Sequence, residues 1–342
     1  MIQALCLYHY AHESHIGNLP MRNEQKIIAP QWEIFLQALA DKIAEPTASQ
    51  PTVRCWTLSS LSKMIQKIKK SKLTSTFPNT PEILKYLRKI GWAYPIDVEV
   101  PPTTPSRSKE FYLLDIGAAH GAKVDPLELL QAYKPDGVIC YFSALTYYSL
   151  TTQFAAQHHI AALYKKVSAQ KTDYNMSFID KSDKSVTSNR KYALGKNLFT
   201  YQGIPFYLTK RSTSRLIGVQ TRMLGPRTNI RITTLEQTLL DTLHKPIYCG
   251  GPPVVFEAWE EGITRLDEDL LNDYLQKIDS SLILRRVGAM IEMLNFRPSR
   301  DFESTLERGL ENSSRYSASS VIPILPGFEF PTLNTKWKVM TP

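Results

Sequence analysis

Apolar side chains recur along this chain at two rhythms, and the rhythm changes near residue 92. Leu58, Leu61, Ile65 and Ile68 follow at intervals of three, four and three, which is the repeat of one helix face. Ile83, Leu84, Leu87 and Ile90 form a second such stripe, and Trp32, Phe35, Leu36, Leu39 and Ile43 form an earlier one. These stripes predict three helices. The first covers 31–44 and is opened by Pro30, a residue preset for the start of a helix. Thr57 is the expected cap of the second, after the loop EPTASQPT at 45–52. The third is expected to be capped by Thr80, with Pro81 at its first position and Gly91 as a left-handed stop. Beyond it the pattern turns extended, with Trp92–Val100 and Glu110–Asp115 flanking PPTTPSRSK. That predicts a β-hairpin with a long basic tip holding Arg107 and Lys109. Three helices and then a hairpin is the order of a winged helix-turn-helix, whose third helix enters the major groove.

The remainder predicts a mixed α/β region. Asp125-Pro126 starts a short helix to Tyr133, and Lys134-Pro135-Asp136-Gly137 makes a turn. Strands are expected at His159–Tyr164, Leu198–Thr209, Arg215–Thr221 and Asn229–Thr233. Thr233-x-x-Glu236 reads as a capping box before Leu239, Leu240 and Leu243. Helices follow at 253–261, 267–278, 281–295 and 299–312, then extended chain at Ser320–Leu325 and Thr335–Met340. Asn175–Arg190 is polar and reads as a surface loop. The fold class is therefore α+β, in three parts. Residues 1–30 are an extension, of which the first twenty read as a floppy tail or as sequence ahead of a start at Met21. Residues 31–118 are the winged helix, and 119–342 the mixed α/β domain.

Charge sharpens this division. The 342 residues carry a net charge of +9, and residues 53–92 supply nearly all of it. That window holds Arg54, Lys63, Lys67, Lys69, Lys70, Lys72, Lys85, Arg88 and Lys89 against one acid, Glu82. A merely solvated face mixes both signs, and this one does not, so a polyanion partner is expected. On the winged-helix reading, Lys85, Arg88 and Lys89 read bases from the third helix. Ser75, Thr76 and Thr80 contact phosphates, and Lys63, Lys67, Lys69, Lys70 and Lys72 position the backbone. Arg107 on the hairpin tip flanks the duplex.

Other chemistry is thinly represented. No apolar run approaches the ~18 residues that a membrane helix needs, and residues 1–8 lack the basic start of a signal peptide. Cysteines at 6, 55, 140 and 249 fit neither a disulfide framework nor a zinc ribbon, so reduced thiols and a cytoplasmic location are expected. Cys6, His9, His12 and His15 recur every three residues, but that period drifts around a helix, and Gly17 and Pro20 interrupt it. Phosphate-loop, HExxH, GxSxG and deaminase signatures are absent. Asp115, Asp136, Asp241, Glu257, Glu260 and Glu261 could form the acidic patch of a metal-dependent nuclease, yet no acid followed by Glu-x-Lys lies on a plausible strand. Cys140 sits in an apolar run and reads as buried and inert, and His158-His159 begin a strand. Gly250-Gly251 reads as a left-handed turn, Asp241 as a helix-end acceptor, and Trp259 and Trp337 as core anchors. No enzyme activity, cofactor or metal is expected.

Four segments carry a resemblance. They are DGVICYFSALTYYSL at 136–150, RITTLEQTLLDTLHKPIYCGGPPVVFEAW at 231–259, LRRVGAMIEML at 284–294 and NTKWKV at 334–339. Together they resemble the AbiEi-like family, the antitoxins of abortive-infection (type IV toxin–antitoxin) systems. The resemblance implies an N-terminal winged helix that binds inverted repeats in operator DNA and represses its own promoter. It also implies a C-terminal domain that neutralises a cognate nucleotidyltransferase toxin. The N-terminal region departs from the family in its extra helix at 31–44 and its long hairpin tip. Two other readings stay open: a nuclease or other defence effector, and a DNA-binding regulator without a toxin partner.

Overall fold

The computed structural model describes residues 23–44, 53–74, 76–102, 110–114, 124–164, 194–225, 228–315 and 321–342. The chain divides into two compact units: Met1–Glu45 with Ser60–Gly91, and Pro46–Ser59 with Trp92–Pro342. The fold is mixed α+β. No helix among the described residues is long and apolar enough to cross a membrane.

The first unit is helical over its described residues: α1 (Asn23–Ala44), α2 (Leu58–Lys72, which begins just ahead of it) and α3 (Thr80–Lys89). α1 begins eight residues earlier than the stripe predicts and runs through Pro30. Glu24, Gln25, Lys26 and Ala29 are good helix formers, and Pro30 removes only one backbone hydrogen bond. The described residues of the 1–30 extension therefore belong to a helix, while the Cys6–His15 series lies outside them. An aromatic cluster closes this unit. The Trp32 ring lies 4.8 Å from Phe77 and 4.1 Å from Tyr86, and Phe35 lies 5.5 Å from Phe77. Leu61, Ile65 and Ile68 of α2 and Ile83, Leu84 and Leu87 of α3 are buried, as their spacing predicts. Ile90 is only half-buried.

The second unit contains three sheets. The predicted hairpin is present as β2 (Ala93–Ile96) and β3 (Phe111–Leu114), and its tip lies outside the described residues. A short strand the helical reading missed, β1 (Cys55–Thr57), pairs antiparallel with β3. Cys55, Phe111 and Leu113 pack into a core with Leu127 and Leu130 of α4 (Pro126–Tyr133), alongside Phe199 and Phe206. The hairpin is thus built into the larger unit, and the division between units does not fall at one point near 118.

The main sheet has six strands: β4 (Val138–Ile139), β5 (His158–Tyr164), β6 (Lys196–Tyr201), β7 (Ile204–Ser212), β8 (Val219–Gly225) and β9 (Thr228–Thr233), in the order β6-β7-β5-β4-β9-β8. The single strand expected at 198–209 is two, because Gln202 and Gly203 take positive φ of 51° and 79° and turn the chain back. Two successive left-handed residues make a tight hairpin turn. The strand expected from Arg215 begins only at Val219. Gln237 Oε1 accepts the N–H groups of Ile217 and Gly218 at 3.0 and 3.2 Å and removes them from the ladder.

Six helices follow or interrupt these strands: α5 (Phe142–Tyr147), which packs on β5, and α6 (Leu235–His244), α7 (Pro252–Ile263), α8 (Glu268–Ile278), α9 (Ser281–Met293) and α10 (Arg300–Arg315), of which α7, α8 and α9 pack on α6 and α10 packs on α9. The cap of α6 is Thr234, one residue beyond the predicted one. Its hydroxyl accepts from the Gln237 N–H, while Glu236 instead accepts from the Asp267 N–H at 3.0 Å. Gly250 and Gly251 are left-handed, at φ 96° and 87°, and a Cβ on Gly250 would lie 2.8 Å from the Phe142 ring. A third sheet, β10 (Ile322–Pro323), β11 (Thr332–Asn334) and β12 (Val339–Thr341), closes the chain. Residues 335–338, expected to be extended, form the turn between the last two strands.

Buried polar groups fasten this unit. Asp241 is not a helix-end acceptor. It sits within α6, 1% exposed, paired with the Arg211 guanidinium from β7. Arg211 Nη2 donates to Asp241 Oδ1 at 2.7 Å, Gln237 Nε2 donates to the same oxygen at 2.9 Å, and the Tyr141 ring lies under the guanidinium. Arg285 of α9 donates to the Trp337 carbonyl at 2.8 Å, and Arg286 to that of Pro323 at 3.1 Å. Gly288 leaves room for Trp337, whose ring would lie 2.6 Å from any Cβ there. Trp259 and Trp337 are both buried, as core anchors should be.

Two stability predictions follow from these groups. Burial pushes His158 and His159 down to about 4. Both rings are neutral in the fold, while the unfolded chain protonates them below ~6.5, so their contribution is intact above that pH and lost as pH falls toward 4. By pH 4 the loss is about 3 kcal/mol per ring. Melting temperature should decline through this window, and a double His158→Phe/His159→Phe variant should flatten the decline. Arg211→Met should cost about 3–5 kcal/mol in urea unfolding, because it strands a buried carboxylate. Arg211→Met with Asp241→Leu should recover much of that loss.

Candidate nucleic-acid interface

The candidate surface lies on α2 and α3. On α2, Lys63, Lys67 and Lys70 fall at i, i+4 and i+7, directly opposite the buried stripe of Leu61, Ile65 and Ile68. All three are exposed. With Gln66 and Ser71 they line a shallow, open hollow. Lys72 is also exposed, but the helical repeat puts it on the buried side of the wheel, and it reaches solvent because the helix ends there. On α3, Lys85, Arg88 and Lys89 are exposed opposite the buried Ile83, Leu84 and Leu87.

The cap of α3 is Asn79 rather than Thr80. Asn79 Oδ1 accepts from the Glu82 N–H at 3.1 Å, and Glu82 Oε2 accepts from the Asn79 N–H at 3.2 Å. This reciprocal box absorbs the one acidic side chain of the basic window. Gly91 stops the helix at φ 71°, as its position predicts.

Two basic residues turn inward. Lys69 lies on the flank of α2, and its Nζ donates to the carbonyls of Phe77 and Pro78 at 3.0 and 2.6 Å. It fastens the turn before α3 instead of projecting beside Lys70. Arg54 belongs to the larger unit, where Nη2 and Nε reach the buried Glu128 carboxylate at 3.0 and 3.3 Å. Neither role was legible, since the partners lie 8 and 74 residues away. Thr76 is exposed and shares a 2.8 Å hydrogen bond with Thr74; Thr80 is half-buried. Ser75 and Arg107 lie outside the described residues. The structure thus gathers Lys63, Lys67 and Lys70 on one face of α2 and Lys85, Arg88 and Lys89 on one face of α3.

Groups with other chemistry are dispersed or engaged. Burial pushes the Cys140 thiol up to about 12 and holds Cys55 and Cys249 well above the usual thiol range. The Ser143 hydroxyl lies 3.2 Å from His158 Nδ1, and His159 Nε2 lies 3.0 Å from the Leu194 carbonyl, to which it can only donate. His159 also stacks on Tyr248 at a centroid distance of 5.1 Å. The Glu257 carboxylate accepts from the Thr152 N–H at 2.8 Å and from both neighbouring threonine hydroxyls, which hold it below the usual carboxylate range. Asp136 pairs with Lys134. Among the described residues no three His, Cys, Asp or Glu side chains are grouped to hold a metal, and Asp115 lies outside them.

No family model matches this chain, and no curated protein does. Solved structures that match include the crystal structure of the RV2827C protein from Mycobacterium tuberculosis. It is 10% identical, over 89% of this chain and 90% of that one, with a TM-score of 0.47.

Proposed function

We propose that this chain binds duplex DNA through the outer faces of α2 and α3, used as a helix-turn-helix. The observation that supports this most is the one-signed surface. Lys63, Lys67, Lys70, Lys72, Lys85, Arg88 and Lys89 are all exposed, and the local acid, Glu82, is bound into a cap. Such a surface attracts phosphate without selecting sequence, and selection falls to side chains on the helix that enters the groove. α3 takes that role with Lys85, Arg88 and Lys89, and α2 grips the backbone with Lys63, Lys67 and Lys70.

The biological role follows from the quoted segments. Their resemblance to the AbiEi-like antitoxins supports a repressor of its own promoter that acts in the cytoplasm on inverted repeats. It also supports a larger unit that neutralises a nucleotidyltransferase toxin without enzymatic chemistry of its own. A neighbouring gene encoding such a toxin is the observation that separates this role from that of a regulator without a toxin partner.

The DNA reading is tested by the salt dependence of binding. With roughly five to seven phosphates neutralised, log K against log salt should fall with a slope of about −4.5 to −6. Replacing Lys63, Lys67 and Lys70 together with Gln should flatten it by about 2 to 3 units and weaken every duplex alike. A slope near zero in the unaltered chain would overturn the reading.

A further inference from the structure

Lys69 stands among the phosphate-gripping lysines in sequence but not in space. Its ammonium group spans the turn between α2 and α3 and donates to two successive carbonyls, Phe77 at 3.0 Å and Pro78 at 2.6 Å. The next residue, Asn79, is the cap of α3. The two peptide planes that Lys69 holds are therefore the ones that aim the entry into α3. A second tie acts on the same turn, since Thr74 Oγ1 donates to the buried Gln31 Oε1 of α1 at 2.9 Å. A third is the burial of Phe77 against Trp32 and Phe35. Within the turn, among the described residues, the Phe77 N–H donates to the Thr74 carbonyl at 3.2 Å and the Thr74 and Thr76 hydroxyls share a hydrogen bond at 2.8 Å.

We infer that Lys69 is a positioning residue for sequence selection: it fixes the angle at which α3 presents Lys85, Arg88 and Lys89, and it does not pair with phosphate. This rests on the proposed DNA reading. The physical distinction is clean. A lysine that neutralises a phosphate contributes about 0.9 to the salt slope and is indifferent to sequence. A lysine spent on two backbone carbonyls releases no counterion from DNA. Losing it loosens the reading helix, which harms binding to the preferred sequence and barely alters binding to others. Base-edge hydrogen bonds demand close geometry, whereas phosphate attraction does not.

The test uses the full chain. A pool of randomised duplexes is enriched with the unaltered protein to give a preferred duplex and a scrambled control. Lys69→Met, Lys70→Met and Thr74→Val are compared for two quantities: the affinity ratio of preferred to scrambled duplex, and the salt slope on each. Hydrogen exchange of the amides at 76–84 reports the turn directly, and far-ultraviolet circular dichroism confirms folding. Lys69→Met should lower the ratio at least tenfold, leave the slope unchanged and speed exchange at 76–84. Thr74→Val, which removes no charge, should do the same more weakly. Lys70→Met should leave the ratio and the exchange unchanged and flatten the slope by about 0.9. If Lys69→Met flattens the slope as Lys70→Met does, with the ratio intact, Lys69 is a phosphate contact and the inference is wrong. If the unaltered chain binds no duplex, the DNA reading fails instead, and exchange at 76–84 still shows whether Lys69 holds the turn.

Discussion

A buried cation is tolerable only when its N–H groups meet acceptors, and this constraint organises the whole distribution of charge in the chain. In the larger unit the cations that go inside are arginines, each with named partners. Arg54 meets Glu128, Arg211 meets Asp241, Arg285 meets carbonyls of the turn between β11 and β12, and Arg286 meets carbonyls of β10 and α6. A guanidinium suits this work because it is planar, weakly hydrated and rich in donors. On α2 and α3 the cations are mainly lysines, and all but Lys69 are exposed. The excess positive charge is thus an outer property of α2 and α3, while Arg54, Arg211, Arg285 and Arg286 of the larger unit serve its packing.

The quoted family-like segments acquire physical meaning in that light. The EQTLLD helix supplies Gln237 and Asp241, one turn apart, to tie α6 to the sheet through Arg211 and the backbone at 217–218. LRRVGAMIEML and NTKWKV meet each other: Gly288 makes room for the Trp337 ring, Arg285 takes its carbonyl, and Glu292 accepts from the indole N–H at 2.7 Å. Gly250 passes close against the Phe142 ring of the first segment. Each of these is a packing role, so the segments that carry the resemblance are those that close the core.

What could be read from the sequence was what depends on near neighbours. Helix faces of α2 and α3, the hairpin, the Gly250-Gly251 turn and the buried tryptophans all follow from spacing or residue type. What could not be read depends on distant partners. Arg211 and Asp241 lie 30 residues apart, and nothing local distinguishes Asp241 from a helix-end acid. β1 has three residues and no pattern, and it exists because β3 offers an edge. The capping residues were each misplaced by one, at Asn79 and Thr234, because neighbouring Asn and Thr residues are both competent caps. Of the eight basic residues on α2 and α3, Lys63, Lys67, Lys70, Lys85, Arg88 and Lys89 lie on two outward stripes; Lys72 reaches solvent because the helix ends there, and nothing in the sequence distinguishes Lys69 from Lys70.

The claim on which the account turns is that one helical face, and not the larger unit, meets DNA. Hydrogen exchange of the full chain with and without a saturating duplex addresses it in one measurement. Protection should appear within 60–91, strongest along α3 and the outer turns of α2, with the amides of 124–164 and 228–315 unchanged. Protection confined to those latter residues, with 60–91 exchanging as in the free protein, would contradict it.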